Sequence, residues 1–196
     1  SFIIIMKLSG SYQINLEKQK VWDALNDPKI LQKSIPGCKE FIKKSATEFT
    51  ATATNKIGPF NASFTGDIEL KDLDPPNSYK IIGSGNSPVG FANGEAFVTL
   101  EDKDNVTMLT YTVEANVGGK IAQVGSRLID MSAKKMADIF FGKFSDLVLK
   151  DQDGKKNNKE ELIKENKVPR EKKSQNKIVI YSSIVVFALI VIYLIS

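Results

Sequence analysis

The chain contains no histidine and a single cysteine, Cys38. Zinc sites, haem ligation by histidine, iron-sulfur clusters and Ser-His-Asp or Cys-His catalysis each need residues that are missing, so most metal and nucleophilic chemistry is excluded. An intramolecular disulfide is excluded too, and Cys38 reads as a small apolar filler compatible with a reducing compartment. No covalently bound cofactor and no metal site is expected. A strong excess of one charge is also lacking: 27 Lys and Arg oppose 23 Asp and Glu, for a formal net charge of +4 over 196 residues. Most of that excess falls in residues 151–196, which hold nine basic and six acidic side chains. The remainder is nearly neutral, which argues against nucleic acid as a partner. The length suits one domain of ordinary size with an appendage.

Long uncharged runs are absent except at the C-terminus. Ile178 to Ile195 carries no charge and is broken only by Tyr181, Ser182, Ser183 and Tyr193. At helical rise it spans roughly 27 Å, close to a hydrocarbon core. Tyr181 and Tyr193 stand where an interfacial aromatic belt would place them. Residues 178–195 are therefore expected to form a single-pass transmembrane anchor. Lys167, Arg170, Lys172, Lys173 and Lys177 precede it and only Ser196 follows, so the positive-inside rule keeps the soluble domain on the cytoplasmic side of the cytoplasmic membrane. Residues 151–177, rich in charge and poor in large apolar side chains, are expected to act as a flexible linker with a reach of roughly 30 Å. The first five residues are too short for the apolar region of a signal peptide and are set aside as an extension before Met6.

The domain, residues 6–150, reads as an α+β unit. A strand is expected over Lys7–Leu16, then a helix over about Glu17–Asn26 capped by Asn15, then a short helix through Ile30 and Leu31 after Asp27-Pro28. Ile35-Pro36-Gly37 turns the chain into six strands: Cys38–Lys44, the alternating Phe49-Ala51-Ala53 stretch, Phe60–Leu70, Ser78–Gly85, Gly90–Glu101 and Val106–Val117. Their alternation implies an antiparallel sheet with one wet face. A long helix from about Gly119 to Leu149 closes the domain, with a stripe of Ala122, Gly125, Ile129, Ala133, Met136, Phe140, Phe144 and Leu147 facing the sheet. That stripe is small in its first half and aromatic in its second. The strands are also small at Ala51, Ala53, Ala62, Gly66, Gly83, Ala92, Gly94 and Ala96, so an apolar cavity between a curved sheet and this helix is expected. On the same helix Arg127, Asp130 and Lys134 stand at spacings that suit a surface ion-pair ladder.

This element order resembles the helix-grip (START-like) fold. More specifically the chain is similar to the CoxG family of carbon monoxide dehydrogenase subunits. The residues that carry the likeness are Met6-Lys7-Leu8-Ser9-Gly10-Ser11-Tyr12, Val21-Trp22-Asp23-Ala24-Leu25-Asn26-Asp27-Pro28, Ile35-Pro36-Gly37-Cys38, Asn93-Gly94-Glu95, and the run from Val117 to Asp130 with its Gly118-Gly119 start and Gly125. The resemblance implies a non-enzymatic, membrane-anchored accessory protein that brings a molybdenum-containing hydroxylase of the carbon monoxide dehydrogenase type to the membrane. The fold commonly holds an apolar ligand, and an electron-donating enzyme at a membrane needs a lipid-soluble acceptor. A quinone or other isoprenoid ligand is accordingly expected, linking the enzyme to the respiratory chain.

Candidate lining residues are Phe49, Ala51, Ala53, Phe60, Phe64, Ala92, Ala96, Tyr111, Gly125, Ile129 and Met136, with the mouth near Ile35 and Pro36. Tyr111 is the candidate polar handle for a quinone carbonyl. Two other readings stay open. The domain could bind or transfer a membrane lipid without an enzyme partner, or it could be a cyclase or hydrolase using a buried carboxylate such as Glu95 or Glu114 as general base.

Overall fold

The computed structural model describes residues 2–104 and 106–163. Its strands are β1 (Ile3–Ile14), β2 (Cys38–Lys43), β3 (Glu48–Ile57), β4 (Phe60–Asp74), β5 (Ser78–Ser87), β6 (Gly90–Lys103) and β7 (Val106–Gly119). They form one antiparallel sheet in the order β1-β7-β6-β5-β4-β3-β2. From β3 onward each strand pairs with its predecessor through a short turn. β1 and β2 therefore lie on opposite edges, and α1 (Lys18–Ala24) and α2 (Pro28–Ser34) bridge the gap between them. A 3-10 turn over Lys120–Val124 leads into α3 (Ser126–Ile163). The backbone of α3 packs chiefly against β1 and α2, so the helix leans on one sheet edge and side chains fill the space over the middle strands.

Several boundaries move from their expected places. β1 starts at Ile3, because the apolar alternation runs back through the five residues before Met6: Ile4 and Met6 are buried opposite Val117 and Ala115. Asn15 does not cap α1. Its side chain accepts from Gln13 in a tight turn, and Glu17 takes the N-cap position without a side-chain bond. Asp27 does cap α2, accepting from the N–H groups of Lys29 and Ile30 ahead of Pro28 at the first helical position.

The closing helix begins at Ser126, not Gly119. Gly119 and Gly125 have φ of 89° and 90°, a region that a right-handed helix of L-residues cannot contain, so the stretch between them is an isolated turn. The buried stripe of α3 keeps Ile129, Ala133, Phe140 and Phe144 and adds Ala137, Phe141 and Val148, leaving Met136 and Leu147 half-buried. Arg127, Asp130 and Lys134 are exposed and form no ion pair among the described residues. At its far end α3 runs on to Ile163, so the first half of the stretch expected to be a tether is helical; no proline interrupts the chain before Pro169. Residues 164–177 of that stretch and the expected span 178–195 lie outside the described residues. Among the described residues no helix is long and apolar enough to cross a membrane.

Candidate functional site

The inner face of the sheet carries a field of alanines with phenylalanines around it. Ala51 and Ala53 of β3, Ala92 and Ala96 of β6, and Ala115 of β7 face Ala133 and Ala137 of α3, all at most 2% exposed. Small residues here let the sheet bend. At Gly94, which pairs with Gly83 on β5 and Ala115 on β7, an added methyl would lie 2.3 Å from the Glu114 carbonyl oxygen. No L side chain fits so tight a backbone approach.

The structure distributes the expected lining residues along this whole face. Phe49, Ala51, Ala53, Phe64, Ala92, Ala96, Tyr111 and Ile129 are buried inward, Met136 and Phe60 are half-buried, and Ile35 is buried at the end of α2 beside the half-buried Pro36. They do not form one compact pocket. Phe60, Ile35, Pro36 and Gly125 lie at one end of the sheet. Phe49 sits near the other, against Phe41 at 5.7 Å between ring centroids and under the Lys43 ammonium at 5.5 Å. Burial holds the Lys43 pKa below its ordinary value. Ile57 lies eight positions along β3 from Phe49, roughly 26 Å of strand.

Gly125 is the exception among them. It ends the 3-10 turn with its backbone N–H bonded to the Ala122 carbonyl at 3.2 Å, and a methyl built there would meet nothing within 4 Å. It faces open space, so a bulky residue there would not fill the space between sheet and helix. Its left-handed backbone is what the position requires. The inner-face alanines and Phe49 and Phe64 are buried. Gly125 is the joint between the 3-10 turn and α3.

On the inner side of the β1 edge lies a cluster of which sequence reasoning found only one member. Tyr111 covers Gly10, where an added methyl would lie 2.6 Å from its hydroxyl oxygen. Tyr12 stacks on Phe141 at 4.0 Å and lies nearly parallel to Tyr111 at 6.2 Å. The Tyr12 hydroxyl donates to the Asp138 carboxylate, joining β1 to α3. Burial first, and for Tyr12 also the bond to Asp138, raise both phenol pKa values above the ordinary range. Both hydroxyls therefore stay protonated and can act as donors. The available signal was Gly10 in cross-strand register with Tyr111, visible only once β1 is paired with β7. Cys38, half-buried, donates to the Glu40 carbonyl at 3.2 Å, and burial pushes its thiol up to about 11.

The outer face is polar. Lys7 pairs with Glu114 at 3.0 Å, Lys80 with Glu95 at 2.8 Å and Lys44 with Asp67 at 3.3 Å. This corrects the general-base reading: Glu95 and Glu114 alternate outward, with side chains 55% and 59% exposed. Two open grooves of about 570 and 370 Å³ also lie on this outer face, lined by such residues as Lys44, Asp67, Ser84 and Asn93, and Lys7, Lys80, Glu95 and Thr112.

Residues 10–148 match the family of the carbon monoxide dehydrogenase subunit CoxG. Among solved structures, a conserved protein from Geobacillus kaustophilus is 34% identical, with a TM-score of 0.71 over 74% of this chain and 96% of that one. A protein from Mycobacterium smegmatis is 18% identical, with a TM-score of 0.55 over 73% of this chain and 90% of its own. The Zhui aromatase/cyclase from Streptomyces sp. R1128 shares 10% identity at a TM-score of 0.55, over 74% and 94% of the two chains. The last two likenesses show the fold, which is of the helix-grip type. No curated protein matches.

Proposed function

The chain belongs to the CoxG family of carbon monoxide dehydrogenase subunits, and on that premise we propose that it is a non-enzymatic accessory protein that recruits a molybdenum hydroxylase of the carbon monoxide dehydrogenase type to the cytoplasmic membrane. The observation that carries this reading is the family match across nearly all of the folded domain. Residues 6–150 form the ligand-binding domain, the charged stretch after it the connection, and residues 178–195 the single-pass anchor that leaves the domain on the cytoplasmic side. The inner face takes up a quinone or similar isoprenoid lipid, so that reducing equivalents from the enzyme reach a lipid-soluble acceptor.

The alanine field supports the ligand part. Seven methyl side chains where a core usually holds Leu or Ile leave a broad apolar strip that an isoprenoid chain could line once α3 lifts. Tyr111, buried and protonated, supplies a donor for a quinone carbonyl on this face, while the Tyr12 hydroxyl is already given to Asp138. The outward placement of Glu95 and Glu114 counts against these two carboxylates as buried general bases for hydrolase or cyclase chemistry.

Mass spectrometry of an organic extract from the detergent-purified full-length chain tests the ligand. A quinone or isoprenoid present in the parent and lost in Ala96→Phe, with circular dichroism showing the variant folded, is the expected result. An empty, folded parent would overturn ligand binding. Recruitment is tested separately by floating the molybdenum enzyme with proteoliposomes that carry the full chain; enzyme that stays in the pellet would overturn it.

A further inference from the structure

The near-neutral domain is split in charge between its two ends. One end gathers the Ile35–Gly37 turn, the β3–β4 tip at Gly58-Pro59, the β5–β6 tip at Pro88-Val89 and the Lys120–Gly125 turn. They touch one another: the Gly37 carbonyl accepts from Thr54 N–H at 3.0 Å, Ile121 N–H donates to the Val89 carbonyl at 3.0 Å, and a methyl on Gly58 would lie 3.2 Å from Leu128. The segments that build this end, residues 1–8, 28–39, 54–66, 84–94 and 115–129, contain no Asp or Glu. Lys39, Lys56, Lys120 and Arg127 on it are exposed and form no ion pair with another described residue. Glu40 and Asp130 are the first carboxylates met along β2 and α3. At the opposite end the turns carry Glu48, Asp72, Asp74, Asp102 and Asp104, interleaved with Lys43, Lys44, Lys71 and Lys103.

Between these cations the tips are apolar: Pro59 is exposed, and Phe60, Val89 and Leu128 are half-buried. Apolar tips set among cations that no protein carboxylate neutralises match a bilayer interface, where the apolar groups enter the headgroup boundary and the cations meet lipid phosphates. We propose that this end of the domain docks on an anionic phospholipid bilayer, with the Pro59 tip and the start of α3 against the lipid. The proposal deepens the membrane reading above, since anchoring by residues 178–195 alone leaves the domain's orientation open. Docking in this pose turns the joint at Gly125 to the membrane, so an isoprenoid could pass between bilayer and inner face without crossing water. The end that holds the turn carboxylates then points away from the like-charged surface.

The test places a fluorophore on Pro59→Cys, in a Cys38→Ser background, within the full-length chain. A second protein carries it at Lys103→Cys on the opposite end. Both are reconstituted into vesicles of neutral phosphatidylcholine and into vesicles doped with anionic phosphatidylglycerol, each with a lipid-borne quencher. Flotation on the neutral vesicles reports anchoring independently, so a failure of the anchor and a failure of docking are distinguishable. The expected result is quenching at position 59 that needs the anionic lipid, weakens at high salt and is absent at position 103. The reversal Lys56→Glu, Lys120→Glu, Arg127→Glu should shift the docking equilibrium on the order of 100-fold, from about fivefold for each cation. Equal quenching at both ends, or quenching indifferent to lipid charge and to the reversal, overturns the proposal. So does a reversal that abolishes co-flotation of the molybdenum enzyme while quenching persists, for this end would then be a protein interface.

Discussion

The Tyr12–Asp138 bond is a side-chain bridge between the edge strand β1 and α3, and its strength can be measured by a double-mutant cycle. Tyr12→Phe keeps the ring stacked on Phe141 at 4.0 Å and removes only the hydroxyl that donates to the carboxylate. A hydrogen bond to a charged acceptor is worth about 1.5–3 kcal/mol when shielded, and the exposure of Asp138 places this one near 1 kcal/mol. In a chain of this size that lowers the melting temperature by roughly 2–4 °C. Asp138→Ala alone is confounded, because alanine raises helix propensity by about 0.5 kcal/mol, and the cycle with Tyr12→Phe removes that contribution. Tyr12→Ala, which also forfeits the stacked ring, should cost about 3–5 kcal/mol. The pH dependence has a definite sign. A phenol whose folded pKa lies above its ordinary value of 10.0 binds its proton more tightly in the folded state, so its contribution is present below pH 10 and is lost as pH rises beyond it. Alkaline destabilisation above pH 10 should therefore be shallower in Tyr12→Phe than in the parent. Urea denaturation at pH 7 and pH 10.5 reads both effects. A coupling energy below about 0.3 kcal/mol, or a Tyr12→Phe variant as unstable as Tyr12→Ala, would refute the bridge.

Three further outcomes follow from the inner face and its rim. Gly10→Val drives its side chain into the Tyr111 ring and should destabilise by about 1–3 kcal/mol, whereas Ser11→Val, next in sequence, should change little; thermal denaturation separates them. Gly125→Ala should cost about 1–2 kcal/mol through its positive φ alone, and Gly125→Trp no more than slightly beyond that, because nothing lies within 4 Å of the added carbon. A far larger loss for tryptophan in urea denaturation would show that the site is closed. Cys38, with its thiol pushed up to about 11 from 9.0, should react with iodoacetamide at pH 8 roughly 100-fold more slowly in the folded chain than in denaturant. Equal rates by mass spectrometry would place the thiol in solvent.

The strands were legible because their alternation is strict: Phe49, Ala51 and Ala53 are buried between the half-exposed Thr50, Thr52 and Thr54, as the period of two requires. The turn residues at Gly58-Pro59 and Asp74–Asn77 placed the hairpins for the same local reason. What failed depended on tertiary pairing or on backbone angle. Ile3 to Ile5 looked like a detached extension until β7 supplied partners for it. The run from Gly119 looked like a helix start because a sequence does not display φ, and two glycines in the left-handed region cut it into a turn and a later helix. Within α3, Ala137 and Phe141 are buried and Met136 half-buried because β1 supplies contacts on that side, with Tyr12 stacked on Phe141. The Tyr12–Phe141–Asp138 cluster was missed on the same account, since it needs both the register of β1 and the rotation of α3.

Gly125 connects these corrections to function. Read as part of a continuous helix, it would have been a small spot on a packing face. As a left-handed joint between a turn held to Val89 and a helix held to β1 at Tyr12, it separates two fixed segments. The Tyr12–Asp138 bridge holds α3 twelve residues beyond its start, roughly 18 Å along the axis. The stretch between joint and bridge presents only Ile129, Ala133 and Ala137 as fully buried side chains, whereas the bulky Phe140, Phe141 and Phe144 lie beyond the bridge or beside it. Lifting the first part exposes far less apolar surface than lifting the second, at about 25 cal/mol for each Å² uncovered. On the uptake proposed here, the part of α3 that lifts at lower cost is therefore its start, at the basic, apolar-tipped end over the alanine field, with the aromatic half staying in place.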